Sequence, residues 1–145
     1  MNNANCLEKQ LLSKIEPDLR KANKSIVAAQ RKISLAEAEL KNELYEGCFI
    51  SAYSAMFHIA RALLFRDGFK EKSHYAVYIY LAEKYSGKIQ ERYINEFNNM
   101  RTDRHNLMYG LDEQETGEEE ASETIKLVKE FLEEVKKQLQ YKDWN

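Results

Sequence analysis

The sequence predicts an all-α protein, an up-and-down bundle of four main helices with an extra short helix at the N-terminus. Three observations carry that prediction. Five glycines and one proline punctuate 145 residues, too few for a chain full of turns, while Leu, Ala, Glu and Lys dominate. Two segments, residues 19–44 and 121–139, place apolar residues at alternating steps of three and four, as a helical seam requires. Between them lies FISAYSAMFHIARALLF, residues 49–65, apolar on almost every face; a helix there must be enclosed by others.

In chain order, residues 4–15 are expected to form the short helix, carrying Leu7, Leu11, Leu12 and Ile15. Pro17 breaks it, so residues 1–17 stand as a helix and break, 18–140 as the bundle, and 141–145 as a loose tail in which Trp144 is the one docking candidate. The first long helix carries the series Leu19, Ala22, Ile26, Ala29, Ile33, Ala36, Leu40 and Leu44, and is expected to end at Glu46-Gly47 with a left-handed glycine. The enclosed helix then stops at Gly68. Ser73 is the expected N-cap of the next helix, whose Tyr75, Tyr78 and Tyr85 give an aromatic face, and Gly87 closes it. Residues 88–109 follow, with Tyr93, Ile94, Phe97 and Met100 inward and Gly110 as the stop. An acidic stretch, LDEQETGEEEASE, leads into the last helix through an expected Thr116/Glu119 capping box. That helix carries Ala121, Ile125, Val128, Leu132, Val135 and Leu139.

Composition narrows the function classes. A net charge of −2 argues against a general nucleic-acid coat, though not against a local basic patch. Cys6 and Cys48 are too few for a disulfide framework or a metal-type cysteine pair. The N-terminus lacks a basic start followed by an apolar run, and no apolar segment reaches the roughly 20 residues that span a bilayer. A cytoplasmic protein with no membrane association is the expectation. No HExxH, no di-iron carboxylate pattern and no Gly-rich phosphate loop is present, so neither a metal nor a cofactor is expected.

Two constellations remain. Ser51, Ser54, His58 and Arg61 succeed one another at steps of three, four and three, making a polar stripe along the enclosed helix. Such a stripe costs free energy unless each member finds a partner, a cavity or an interface. The second is NNMRTDRHNLMYG, where Arg101 and His105 share one helix face and Arg104 lies on the next. Arginines give forked hydrogen bonds to a phosphodiester, and a histidine moves protons near neutral pH. The structural alternative pairs Arg101 and Arg104 with Asp103, Glu96 or the acids after Gly110.

AYSAMFHIARALL, preceded by ELYEGCF and followed by KSHYAVYIYLAEKY, resembles the HEPN domain family over about residues 20–138, in particular small archaeal and bacterial members. RTDRHNLMYG is similar to the family's arginine motif: Arg104 is the matching arginine, His105 the polar residue after it, and Tyr109 stands where the family places a histidine. The resemblance implies a HEPN-type bundle that dimerises with Arg104 and Tyr109 near the two-fold axis, joined by a polar residue of the enclosed helix. It implies a homodimer that binds a nucleotide or RNA, paired with a small nucleotidyltransferase as in toxin–antitoxin systems. In some such pairs a tyrosine near the motif receives AMP, and Tyr109 is the matching candidate. Many members resemble metal-independent RNases whose Arg and His act together. Here the histidine is replaced by tyrosine, whose hydroxyl, ordinarily near pKa 10, is a poor base at neutral pH. An endoribonuclease would therefore rely on Arg104 or Arg101 with His105, with His58 as a further candidate. A non-catalytic helical scaffold is the third reading.

Overall fold

The structure, a computed structural model, describes residues 1–111 and 116–141. It contains α1 (Asn3–Glu8), β1 (Leu12–Lys14), α2 (Leu19–Lys41), α3 (Tyr45–Asp67), β2 (Phe69–Glu71), α4 (His74–Lys84), α5 (Glu91–Tyr109) and α6 (Glu118–Tyr141). The expected tail with Trp144, beyond Tyr141, lies outside the described residues, as do the acids at 112, 113 and 115.

Helix α3 is the core. Its Ala52, Ala55, Met56, Ile59, Ala60, Leu63 and Leu64 are fully buried, with α2, α5 and α6 packed around them. It is long and apolar enough to cross a membrane, yet most of it is enclosed by the rest of the chain. The alanines of α2 at 22, 29 and 36 are fully buried and bring its backbone close to α3. Leu19 and Leu44, at the two ends of the expected seam, are instead exposed. On α6 every expected seam residue is buried, together with Phe131.

The N-terminus differs from the expected helix over residues 4–15. An Asn2/Asn5 capping box starts α1, and Gln10 at φ 60° ends it after two turns. The chain then extends: β1 pairs antiparallel with β2, Leu12 opposite Glu71 and Lys14 opposite Phe69. Leu11, Leu12 and Ile15 fit a helical and an extended spacing alike, and a three-residue strand is too short to show its period. Pro17 disfavours helical backbone at Glu16, which suits the extended entry into α2.

The turn between α2 and α3 is a second correction. Helix α2 closes with a Schellman motif in which Glu43 N–H donates to Leu40 O (3.1 Å) and Leu44 N–H to Glu39 O (2.8 Å). Glu43, at φ 60°, takes the left-handed position expected of Gly47. Gly47 lies inside α3, where a Cβ would collide with the Glu39 carboxylate. The glycine's job is to admit that side chain, not to end a helix.

Gly68 does end α3, in the left-handed region at φ 92°. Ser73 caps α4, its hydroxyl accepting from the N–H groups of Tyr75 and Ala76. Helix α5 starts at Glu91 and stops at Gly110. Helix α6 starts at Glu118; Gly117 O accepts from Ala121 N–H, so glycine rather than Thr116 holds the cap position.

Candidate functional site

The polar stripe of α3 turns toward α2. Ser51 Oγ–H donates to the Glu39 carboxylate, and the His58 carbonyl accepts from Ser25 Oγ–H at 2.6 Å. Burial, followed by Arg61, Lys32 and Arg31, holds the His58 imidazole below its ordinary pKa of 6.5. Two of those three cations belong to α2. Ser54 is half-buried and makes no side-chain hydrogen bond among the described residues. Only Arg61 reaches the other side: its guanidinium lies over Phe57 (5.3 Å) and Phe65 (5.0 Å), and Nε stands 3.0 Å from Glu71 Oε1. That contact is an ion pair by distance without hydrogen-bond alignment, so its attraction is chiefly coulombic.

The arginines of α5 meet a different face of α3. Arg104 places its guanidinium 5.2 Å from the Tyr53 ring centroid, and Arg101 stands 5.2 Å from that of Tyr75. Both are cation–π geometries. Tyr53 is fully buried on α3, and its hydroxyl is 2.7 Å from Nδ1 of His74, the first residue of α4. The His74 ring lies flat on Phe57, with centroids 4.0 Å apart and planes 7° from parallel. Three helices thus assemble one constellation of Tyr53 and Phe57, His74 and Tyr75, Arg101 and Arg104.

Its electrostatics are one-sided. Arg101 donates from Nε (3.2 Å) and Nη2 (3.0 Å) to Asn98 Oδ1, and Arg104 Nη1 approaches Met108 Sδ at 3.7 Å. Among the described residues neither forms an ion pair, so the expected alternatives Asp103 and Glu96 are not engaged; the acids at 112, 113 and 115 lie outside them. Arg104 Nε is buried with no hydrogen-bond acceptor. Burial, then Arg104, Arg101 and Arg61, push the His74 imidazole down to about 4, so it is neutral at pH 7. Burial raises the Tyr53 hydroxyl to about 12, against the pull of the same two α5 arginines.

His105 and Tyr109 form a separate pair near the end of α5, rings 5.0 Å apart and exposed, with Tyr109 at 65%. Met108 and Leu111 beside them are exposed as well. Among the described residues no group of three His, Cys, Asp or Glu side chains is placed to hold a metal ion.

Sequence reasoning therefore found the arginines but missed their companions. Tyr53 and Phe57 lie four apart on α3 beside the polar stripe and lead to its Arg61, and Ser73 as N-cap puts His74 at a helix start. Those signals were present, but spacing alone does not say which stripe faces α5.

Comparison with known proteins agrees with the architecture. A HEPN domain family model matches residues 22–138, which takes in nearly all of α2 through α6. A relative from the archaeon Methanocaldococcus jannaschii, bearing the name "Putative toxin MJ0605", is 32% identical over 135 residues, covering 90% of this chain and 96% of the relative. With four helices packed round a buried α3 and a family match over most of its length, this chain belongs to the HEPN domain family.

Proposed function

We propose that the protein is a HEPN-type regulatory component of a toxin–antitoxin pair that binds a nucleotide or RNA phosphate on its Arg101/Arg104 face. One observation carries this reading. The guanidiniums of Arg101 and Arg104 are set on this one face with no carboxylate partner among the described residues. An unpaired guanidinium is short of the charge-assisted hydrogen bonds it can make, and phosphate oxygens supply them. The aromatic rings beneath both arginines fix the guanidinium planes and offer a face to a base. The name of the archaeal relative supports the toxin assignment. In this reading the exposed end of α5, with Met108, Tyr109 and Leu111, meets a second copy, and a small nucleotidyltransferase is the partner chain.

The test is calorimetric titration with AMP, ATP and oligouridylate. Arg104→Ala and Arg101→Ala each weaken binding by about ten- to a hundredfold, the loss of one charge-assisted contact to phosphate, and reduce the salt dependence by about one ion. Affinity unchanged in both variants, or no binding of any of the three, overturns the reading. Cleavage is the second reading, favoured by the exposure of His105 one turn beyond Arg101. RNA cleavage in EDTA that is lost in both Arg104→Ala and His105→Ala would establish it; cleavage surviving both would reject it.

A further inference from the structure

Resting on that phosphate reading, we propose that His74, held by Tyr53, is a third phosphate-binding group of the site and takes up a proton as the anion arrives. Nothing in the sequence motif points to it; the placement does. His74 opens α4, so its ring stands at the positive end of an 11-residue helix. Nδ1 is committed to the Tyr53 hydroxyl. Nε2 has no partner among the described residues and is not one of the buried orphaned atoms, so it reaches solvent. The ring itself is fixed, flat on Phe57 and offset from Tyr53 at 5.8 Å. A rigid imidazole with one nitrogen anchored and the other open is a directed ligand group, not a core histidine with both nitrogens satisfied.

The charges around it determine its protonation. From α3 it faces Arg61, itself ion-paired to Glu71 of β2, and the neutral Tyr53; from α5 it faces Arg101 and Arg104; on its own helix Tyr75 is adjacent. Burial first, and then three cations against one paired acid, keep the empty site's imidazole neutral, with its pKa down at about 4. A phosphate seated on Arg101 and Arg104 cancels much of that field. By linkage, whatever raises the affinity for a proton must itself bind more tightly when the proton is present. Protonated, the ring donates from both nitrogens, so Nε2–H meets a phosphate oxygen as a charged donor whichever tautomer the neutral ring holds. If the anion restores the imidazole to its ordinary 6.5, affinity gains about tenfold between about pH 7.5 and pH 5.5.

The experiment is titration calorimetry of the full chain with oligouridylate, whose phosphodiesters do not titrate in this range, in two buffers of different ionisation enthalpy. At about pH 5.5 the buffer dependence reports uptake approaching one proton per site, fading toward about pH 8. His74→Asn, which keeps a hydrogen-bonding side chain but does not titrate, binds with no proton uptake and a flat pH profile. Binding by the wild type with no buffer dependence overturns the proposal without a variant having to fold, and so does uptake that persists in His74→Asn. No binding at either pH overturns the phosphate reading itself, and this proposal with it.

Discussion

Tyr85→Phe tests whether the C-terminal end of α3 is held by a charged network. Arg66 is a cation with only 7% of its surface exposed. Its Nε donates to Asp67 Oδ1 (3.1 Å), Nη1 to the Gln138 carbonyl of α6 (2.6 Å) and Nη2 to the Tyr85 hydroxyl (2.6 Å). Tyr85 passes the interaction on, donating to Asp67 Oδ2 at 2.6 Å, where Tyr80 also donates at 2.7 Å. The Tyr85 oxygen therefore serves two charged groups and the Tyr80 oxygen one. A hydrogen bond to a charged group is worth about 1.5–3 kcal/mol. Removing the Tyr85 hydroxyl should cost about 3 kcal/mol, and removing that of Tyr80 about half as much. Arg66→Met strands Asp67 and the Gln138 carbonyl together and should cost about 3–5 kcal/mol.

Urea unfolding reads this directly. A cost of 3 kcal/mol moves the midpoint by roughly 1–3 M at constant slope. The double variant Tyr80→Phe/Tyr85→Phe leaves Asp67 Oδ2 with neither donor, so its cost should exceed the sum of the two singles. Equal costs for Tyr85→Phe and Tyr80→Phe, or a strictly additive pair, would refute the proposed relay through the Tyr85 hydroxyl.

Other outcomes follow from single contacts. Leu12, 1% exposed on β1, lies before the family-matched residues, yet Leu12→Ala should cost about 2–4 kcal/mol in the same unfolding assay; a loss under about 0.5 would show β1 to be an ornament. Gly68→Ala places a Cβ 2.9 Å from Ile15 O at φ 92°, so a loss of about 1–2 kcal/mol or more is expected, seen as a lower melting temperature. The pH dependence has a definite sign. Tyr53, pushed up to about 12, and Tyr80 and Tyr85, raised chiefly by burial and then by the Asp67 hydrogen bond, hold their protons more tightly folded than unfolded. Their contribution is complete below about pH 10 and is lost as pH rises above it. Urea midpoints unchanged up to about pH 11 would contradict that.

How much of this was legible in the sequence differs by element. The enclosed α3 announced itself because apolar residues on every face have one physical solution in water, burial by other helices. Ser73, Gly68 and Gly110 were legible because caps depend on one or two residues. The short sheet was not, since three-residue strands carry no period and their pairing joins residues 12–14 to 69–71 across the whole of two long helices. Gly47 misled for a related reason. Glycine next to a helix boundary suggests a left-handed cap, but here the absent Cβ makes room for a side chain twelve residues from its bonded partner, Ser51. Only tertiary packing distinguishes the two uses.

The same limit governs the site. A buried polar stripe demands partners, and Ser51 and the His58 carbonyl find theirs in Glu39 and Ser25 of α2. Ser51 is thereby satisfied inside the chain and needs no ligand to explain it, whereas the Ser25 bond engages the His58 backbone carbonyl and not its imidazole. The arginines of α5 are the opposite case. Ordinary acids, Asp103 and Glu96, were close in sequence and are not used; the guanidiniums lie instead on Tyr75 and Tyr53, with Arg104 Nε left without an acceptor. A surface that only stabilised the bundle would have little reason to gather Arg61, Arg101 and Arg104 about one neutral histidine, because like charges in one neighbourhood repel. The repulsion is tolerable if an anion visits. The weight of the functional argument therefore shifts from the serines of α3 to the arginine and aromatic face shared by α3, α4 and α5.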